Sequence, residues 1–180
     1  MGAGTETVSD FTIKKVNPQQ WVKCAQAAGA TGILLTCKHH DGFCLWPSEY
    51  TSFSVKNTDF DGDIVKMVSD ACHDAGLDFG VYLSPWDMHE PTYGTPEYND
   101  YFCNQLTELL SNYGPVSEVW FDGAKGANAK AFEYDWQRYY ALIRKLQPGA
   151  NIAVCGPDIR WVGNEGGKTR KSEFQLFPLQ

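Results

Sequence analysis

The chain has 180 residues, 43% of them apolar and 14% aromatic, with a formal net charge of −7. That length is roughly one domain, and that apolar content can bury a core, so disorder is not the expected state. The acidic balance argues against nucleic acid and anionic membrane as partners, and no apolar run approaches the roughly 18 residues of a bilayer span.

The N-terminal stretch from Met1 to Asp10 has neither a basic start nor an apolar core, so it does not read as a secretory leader. Asn17 can cap a first helix that starts at Pro18, runs to Ala28 and stops at Gly29. Ile33 to Cys37 is a continuous apolar run, as expected for a strand buried on both faces. A long aromatic-bearing loop, Gly42 to Gly62, follows; such loops often carry function. The second helix spans Asp63 to Ala75, with Ile64, Val65, Val68 and Cys72 on one face and Gly76 as its stop. A second strand covers Phe79 to Ser84. The third helix runs from Pro96 to Tyr113 and the third strand from Ser117 to Phe121. A fourth helix, Tyr134 to Leu146, ends before Pro148 and leads to a strand at Ile152 to Cys155.

Strands alternating with helices of this length make parallel βαβ units. No glycine-rich dinucleotide fingerprint follows a strand, which favours a TIM-type (β/α) barrel over an open doubly wound sheet. In a barrel the chemistry sits at the C-terminal ends of the strands. Here those ends turn polar together: Lys38-His39-His40-Asp41, Ser84-Pro85-Trp86-Asp87, Asp122-Gly123 and Gly156-Pro157-Asp158. None of the six cysteines forms a Cys-x-x-Cys pair, and most lie in apolar stretches as buried reduced thiols would.

Two readings of Asp122 stand on position alone. It is a nucleophile or general base at a strand end, or it caps the next loop through an Asx-turn. Glu165, in a glycine-flanked loop, reads as a general acid/base or as a solvated loop carboxylate. His39 and His40 have no recognised metal-site spacing; neutral imidazoles suit the hydroxyls of a polyhydroxylated ligand. Trp46, Tyr82, Trp86, Trp120 and Trp161 add the aromatic faces on which sugar rings pack, although some of them must be core.

Five segments then carry a family resemblance. Leu35 to Ser48 (LTCKHHDGFCLWPS), Ala75 to Asp87 (AGLDFGVYLSPWD), Asn104 to Leu110, Trp120-Phe121-Asp122-Gly123 and Arg160 to Glu165 resemble glycoside hydrolase family 29, the α-L-fucosidases. The resemblance implies Asp122 as the nucleophile of a retaining double displacement and Glu165 as the general acid/base. It implies that His39, His40, Tyr82 and Trp120 hold fucose. The Gly163-Asn164-Glu165 motif resembles the branch acting on α-1,3/1,4-linked fucose, where Asp158 and Trp161 would meet the next sugar. No metal or organic cofactor is implied, and the substrate would be a fucosylated oligosaccharide or glycoconjugate.

The chain also departs from the family pattern. Family members begin with a barrel strand carrying a Phe-Ile-His-Phe-Gly-like segment, and none occurs here. The expectation is one partial catalytic domain over residues 1–180 with about four of eight βα units. The first strand, the later strands and the C-terminal β-sandwich are missing. Its edge strands would need cover from a longer chain or from a homo-oligomer that completes the barrel. The alternative function is a non-catalytic, degenerate fucose-binding fragment. The compartment is not set by the sequence; family members are often secreted, periplasmic or lysosomal.

Overall fold

Among the described residues, three of the four α-helices begin on a side chain that closes an open backbone donor. Asn17 accepts from the Gln20 N–H at 3.2 Å, Asp63 from Lys66 at 2.9 Å and Asp135 from Arg138 at 3.1 Å. The helices that follow are α1 (Pro18–Ala27), α2 (Ile64–Asp74), α3 (Tyr98–Asn112) and α4 (Trp136–Leu146). Between them run β1 (Gly32–Lys38), β2 (Asp78–Leu83), β3 (Glu118–Phe121) and β4 (Asn151–Val154). The computed structural model describes residues 4–126, 132–161 and 168.

The four strands form one parallel sheet in the order β1-β2-β3-β4, each joined to the next through a helix. This is the α/β arrangement expected of part of a fucosidase barrel. The strand pairing puts Thr36 beside Tyr82 and Tyr82 beside Trp120, so these side chains share one face. The residues between them, Phe79, Val81, Leu83, Val119 and Phe121, point the other way into the helices. There they join Val65, Val68, Phe102, Leu106 and Tyr139 in a single core.

One sequence expectation for β1 is corrected. The strand is not buried on both faces: Leu34 is 39% exposed, and Thr36 is open as well. Helices cover only one side of the sheet among the described residues. The other side is the floor of a cleft.

The loop after β1 is folded back onto α3. Trp46 is fully buried, and its indole N–H donates to Glu108 Oε2 at 2.8 Å. The Ser48 hydroxyl donates to the same oxygen, and the Glu49 N–H to Oε1, both at 2.8 Å. Trp46 was expected to line a sugar pocket. Its ring instead fills the core, drawn there by a carboxylate 62 positions away. Replacing Glu108 by Ala strips three donors of their acceptor. It should cost about 1–3 kcal/mol of stability in urea denaturation and speed hydrogen exchange at the Glu49 amide. Unchanged exchange there would show that the loop holds without this tether.

Candidate active site

The C-terminal ends of β1 and β2 are locked to each other beside the cleft. The Lys38 ammonium is completely buried and 2.7 Å from Asp87 Oδ2. It donates to Gln105 Oε1 at 2.9 Å as well, and lies 5.1 Å from the centre of the Tyr101 ring. Asp87 Oδ1 accepts the backbone N–H groups of His89 and Glu90, each at 2.9 Å. Burial alone would raise the Asp87 pKa. Lys38 and these two N–H groups outweigh it and hold the carboxyl below its usual range. Gly42 sits over this pair at φ +86, where a Cβ would collide with Asp87 Oδ1 and His89. Two backbone bonds complete the join: Ser84 N–H to Lys38 C=O at 3.1 Å, and Met88 N–H to His40 C=O at 2.8 Å.

Beside that join lies a cleft of about 570 Å³, an ordinary size for a small-ligand site. Leu34 and Thr36 form its floor. His39, Tyr82, Trp120, Asp122 and Trp161 line it. Sequence reasoning named all five of these liners, and the fold brings them together.

Asp122 makes the loop-capping turn and also presents its carboxylate to the cleft. Oδ1 accepts the Ala124 N–H at 2.8 Å, which is an Asx-turn. Oδ2 faces the cleft and accepts the Tyr82 hydroxyl at 3.0 Å. With one donor on each oxygen the carboxylate cannot spin freely, yet its side chain is 33% exposed and open to a ligand. Burial, then the Asp122 charge, pushes the Tyr82 pKa far above its ordinary value, so this phenol remains a donor.

His40 is buried behind the liners, with Nε2 3.9 Å from Asp122 Oδ2. Its pKa is lowered by burial first and by His39 second, against the opposing pull of Asp122 and Asp41. The imidazole is therefore neutral at neutral pH. His39 stacks flat on Tyr82 at 5.6 Å, and its buried Nδ1 has no hydrogen-bond partner among the described residues. The His39 ring lines the cleft, and a neutral imidazole can pair with a ligand hydroxyl.

Two further expectations are corrected. Trp86 does not line the cleft; it packs against His40, ring centres 4.7 Å apart, and so backs a pocket residue. Asp158 is occupied elsewhere. Its oxygens lie 2.6 and 2.5 Å from an Arg144 guanidinium nitrogen, and Oδ2 accepts the Ile152 N–H at 2.7 Å. It pins the turn after β4 to α4, and it is not among the residues that line the cleft. Glu165 lies outside the described residues. Sequence reasoning missed a role for Ser84, whose hydroxyl meets His40 Nδ1 at 2.6 Å. The signal was its place in the polar strand end Ser84-Pro85-Trp86-Asp87.

This site can hold a ring rich in hydroxyls against aromatic faces and present one oriented carboxylate to it. Comparison with known proteins agrees. Residues 5–175 match the family model described as alpha-L-fucosidase. The chain is 47% identical over 181 residues to alpha-L-fucosidase 1 of Arabidopsis thaliana, covering 98% of this chain and 36% of that protein. A crystal structure of a glycoside hydrolase 29 family member from an unknown rumen bacterium superposes with TM-score 0.85 at 46% identity, over 92% of this chain and 33% of that one. A Ruminococcus gnavus GH29 fucosidase in complex with fucose superposes with TM-score 0.84 at 36% identity, over 96% of this chain and 41% of that one. The chain thus spans roughly a third of the length of the curated relatives it matches.

Proposed function

Since this chain belongs to the α-L-fucosidase family, we propose that it acts in hydrolysing terminal α-1,3/1,4-linked L-fucose from glycans by a retaining double displacement. Asp122 is the nucleophile, and Glu165 is the general acid/base. The observation that carries the reading is the Asp122 carboxylate. It is held from both oxygens and set in a cleft with Tyr82, His39 and two tryptophans.

The chemistry follows from these two roles. Asp122 attacks the anomeric carbon while Glu165 protonates the leaving glycosidic oxygen. The anomeric carbon–oxygen bond breaks and a covalent fucosyl ester forms on Asp122. Water, deprotonated by Glu165, then displaces the ester and regenerates both residues. The Tyr82 hydroxyl steadies the carboxylate. His39 and His40 address the sugar hydroxyls, and Trp120 and Trp161 offer apolar faces. The double displacement calls for about 5–5.5 Å between the two carboxyl groups. The α-1,3/1,4 preference rests on the Gly163-Asn164-Glu165 motif.

An aryl α-L-fucoside tests the proposal directly. The expected result is release of the phenol with α-L-fucose as the first sugar product, followed by ¹H NMR before mutarotation. β-L-fucose as the first product would overturn the retaining mechanism. A folded protein that binds L-fucose and releases no phenol would be a sugar-binding module, and one that does neither would end the fucosidase reading.

A further inference from the structure

His40 is buried and neutral at neutral pH, so it carries one ring proton, and which nitrogen holds it decides what the residue can recognise. The surroundings settle the question. Nδ1 meets the Ser84 hydroxyl oxygen at 2.6 Å. That same oxygen lies 2.6 Å from the Trp86 carbonyl oxygen. Ser84 has a single hydroxyl proton, and a carbonyl can only accept. If the proton pointed at His40, the Ser84 and Trp86 oxygens would face each other at contact distance with nothing between them. The proton therefore lies on the Trp86 bond, and the Ser84 oxygen must accept from His40 Nδ1–H. Nε2 is left with its lone pair, 3.9 Å from Asp122 Oδ2, itself an acceptor.

We propose that Ser84 is a positioning residue that holds His40 in its Nδ1–H form, so that Nε2 acts as an obligate acceptor for a hydroxyl proton of the bound sugar beside Asp122. The assignment rests on the fucosidase reading for the identity of the sugar, but not for the tautomer. Ser84 is completely buried and does not line the cleft, so it acts on a ligand through the residues it touches, His40 foremost. The arrangement has two consequences. A ligand must bring a donor to the gap between Nε2 and Asp122, which a hydroxyl does and an ether does not. The opposite tautomer would also aim Nε2–H at Asp122 Oδ2, tying up the carboxylate that the reaction needs free. The short backbone path from Ser84 to Trp86 makes the lock local to the end of β2, so it is present before any ligand arrives.

The decisive measurement is the ¹⁵N–¹H spectrum of the histidine side chains in the ligand-free wild-type chain at neutral pH. His40 should show a protonated Nδ1 and an unprotonated Nε2. A protonated Nε2, or an averaged pair of nitrogens, would overturn the assignment. In Ser84→Ala the buried Nδ1–H loses its only acceptor, and the tautomer should reverse while the rest of the amide spectrum is retained. L-Fucose affinity, read by titration on the same samples, should weaken about tenfold, the worth of one good hydrogen bond. On an aryl fucoside the loss should fall mainly on KM. A Ser84→Ala variant that keeps both the tautomer and the affinity would show that Ser84 positions nothing. A wild type with the stated tautomer and no fucose affinity would sink the fucosidase reading and leave the His40–Ser84 assignment standing.

Discussion

Replacing Asp122 by Asn should lower the proposed aryl α-L-fucoside hydrolysis by on the order of 10⁴-fold or more while leaving the chain folded. Asparagine is the informative choice because Asp122 has two jobs. Its Oδ1 holds the Ala124 N–H, and an Asn side chain makes the same turn. Its Oδ2 takes the Tyr82 hydroxyl; with the amide oxygen kept on the turn, the Asn nitrogen fills that place without charge and donates to the Tyr82 oxygen instead. What Asn lacks is a nucleophilic oxygen, so turnover should collapse with little change in melting temperature. Asp122→Gly goes one step further and opens space at the same point. Added azide should then enter from the vacated side and give the β-L-fucosyl azide, the product of a single displacement on an α-fucoside. Activity within tenfold of wild type in Asp122→Asn would remove Asp122 from the role of nucleophile.

Much of this was readable before the fold was known, and the reason differs between elements. The strands and helices fall within a residue or two of their expected places. Local chemistry marks at least one end of each helix: Asn17, Asp63 and Asp135 start α1, α2 and α4, and Gly29, Gly76 and Gly114 follow α1, α2 and α3. The cleft was readable because barrel geometry sends strand ends to one edge, which is why His39, Tyr82, Trp120 and Asp122 converge.

What failed were side chains whose partners lie far off along the chain. Trp46 and Trp86 look alike in sequence, aromatic and near a strand end. One is claimed by Glu108, and the other packs on His40. Asp158 looks like a sugar ligand until Arg144 on α4 takes its carboxylate. No local pattern announces such pairings. Lys38, Ser84 and Asp87 were visible only as polar strand-end residues. Their roles beside the site came from contacts across the ends of β1 and β2 and, for Lys38, with Gln105 on α3.

Lys38→Met should be the most destabilising single change among the residues around this site, costing about 3–5 kcal/mol. The ammonium and the Asp87 carboxylate are both fully buried, so removing one leaves the other charged and uncompensated. Gln105 Oε1 loses its donor too. For a chain of this size the loss corresponds to a fall in Tm of roughly 6–20 °C.

The pH dependence identifies the cause. In the wild type Asp87 titrates below its unfolded value of about 3.9. A carboxyl with a lowered folded pKa contributes stability above its unfolded pKa and loses it as pH falls through the folded one. The wild type should thus gain nothing from this group between pH 7 and pH 5. In Lys38→Met the burial that Lys38 had offset is left in control, and the Asp87 pKa moves above its unfolded value. The folded variant then binds more protons than the unfolded chain, so its stability rises as pH falls from 7 toward 5. Lys38→Met/Asp87→Asn removes the orphaned charge and keeps an acceptor for the His89 and Glu90 N–H groups. It should recover most of the loss at pH 7. Urea denaturation of the three proteins at pH 7 and pH 5 measures all of this. A loss below about 1 kcal/mol for Lys38→Met, or the same pH slope as wild type, would mean that the pair beside the cleft does not hold the two strand ends together.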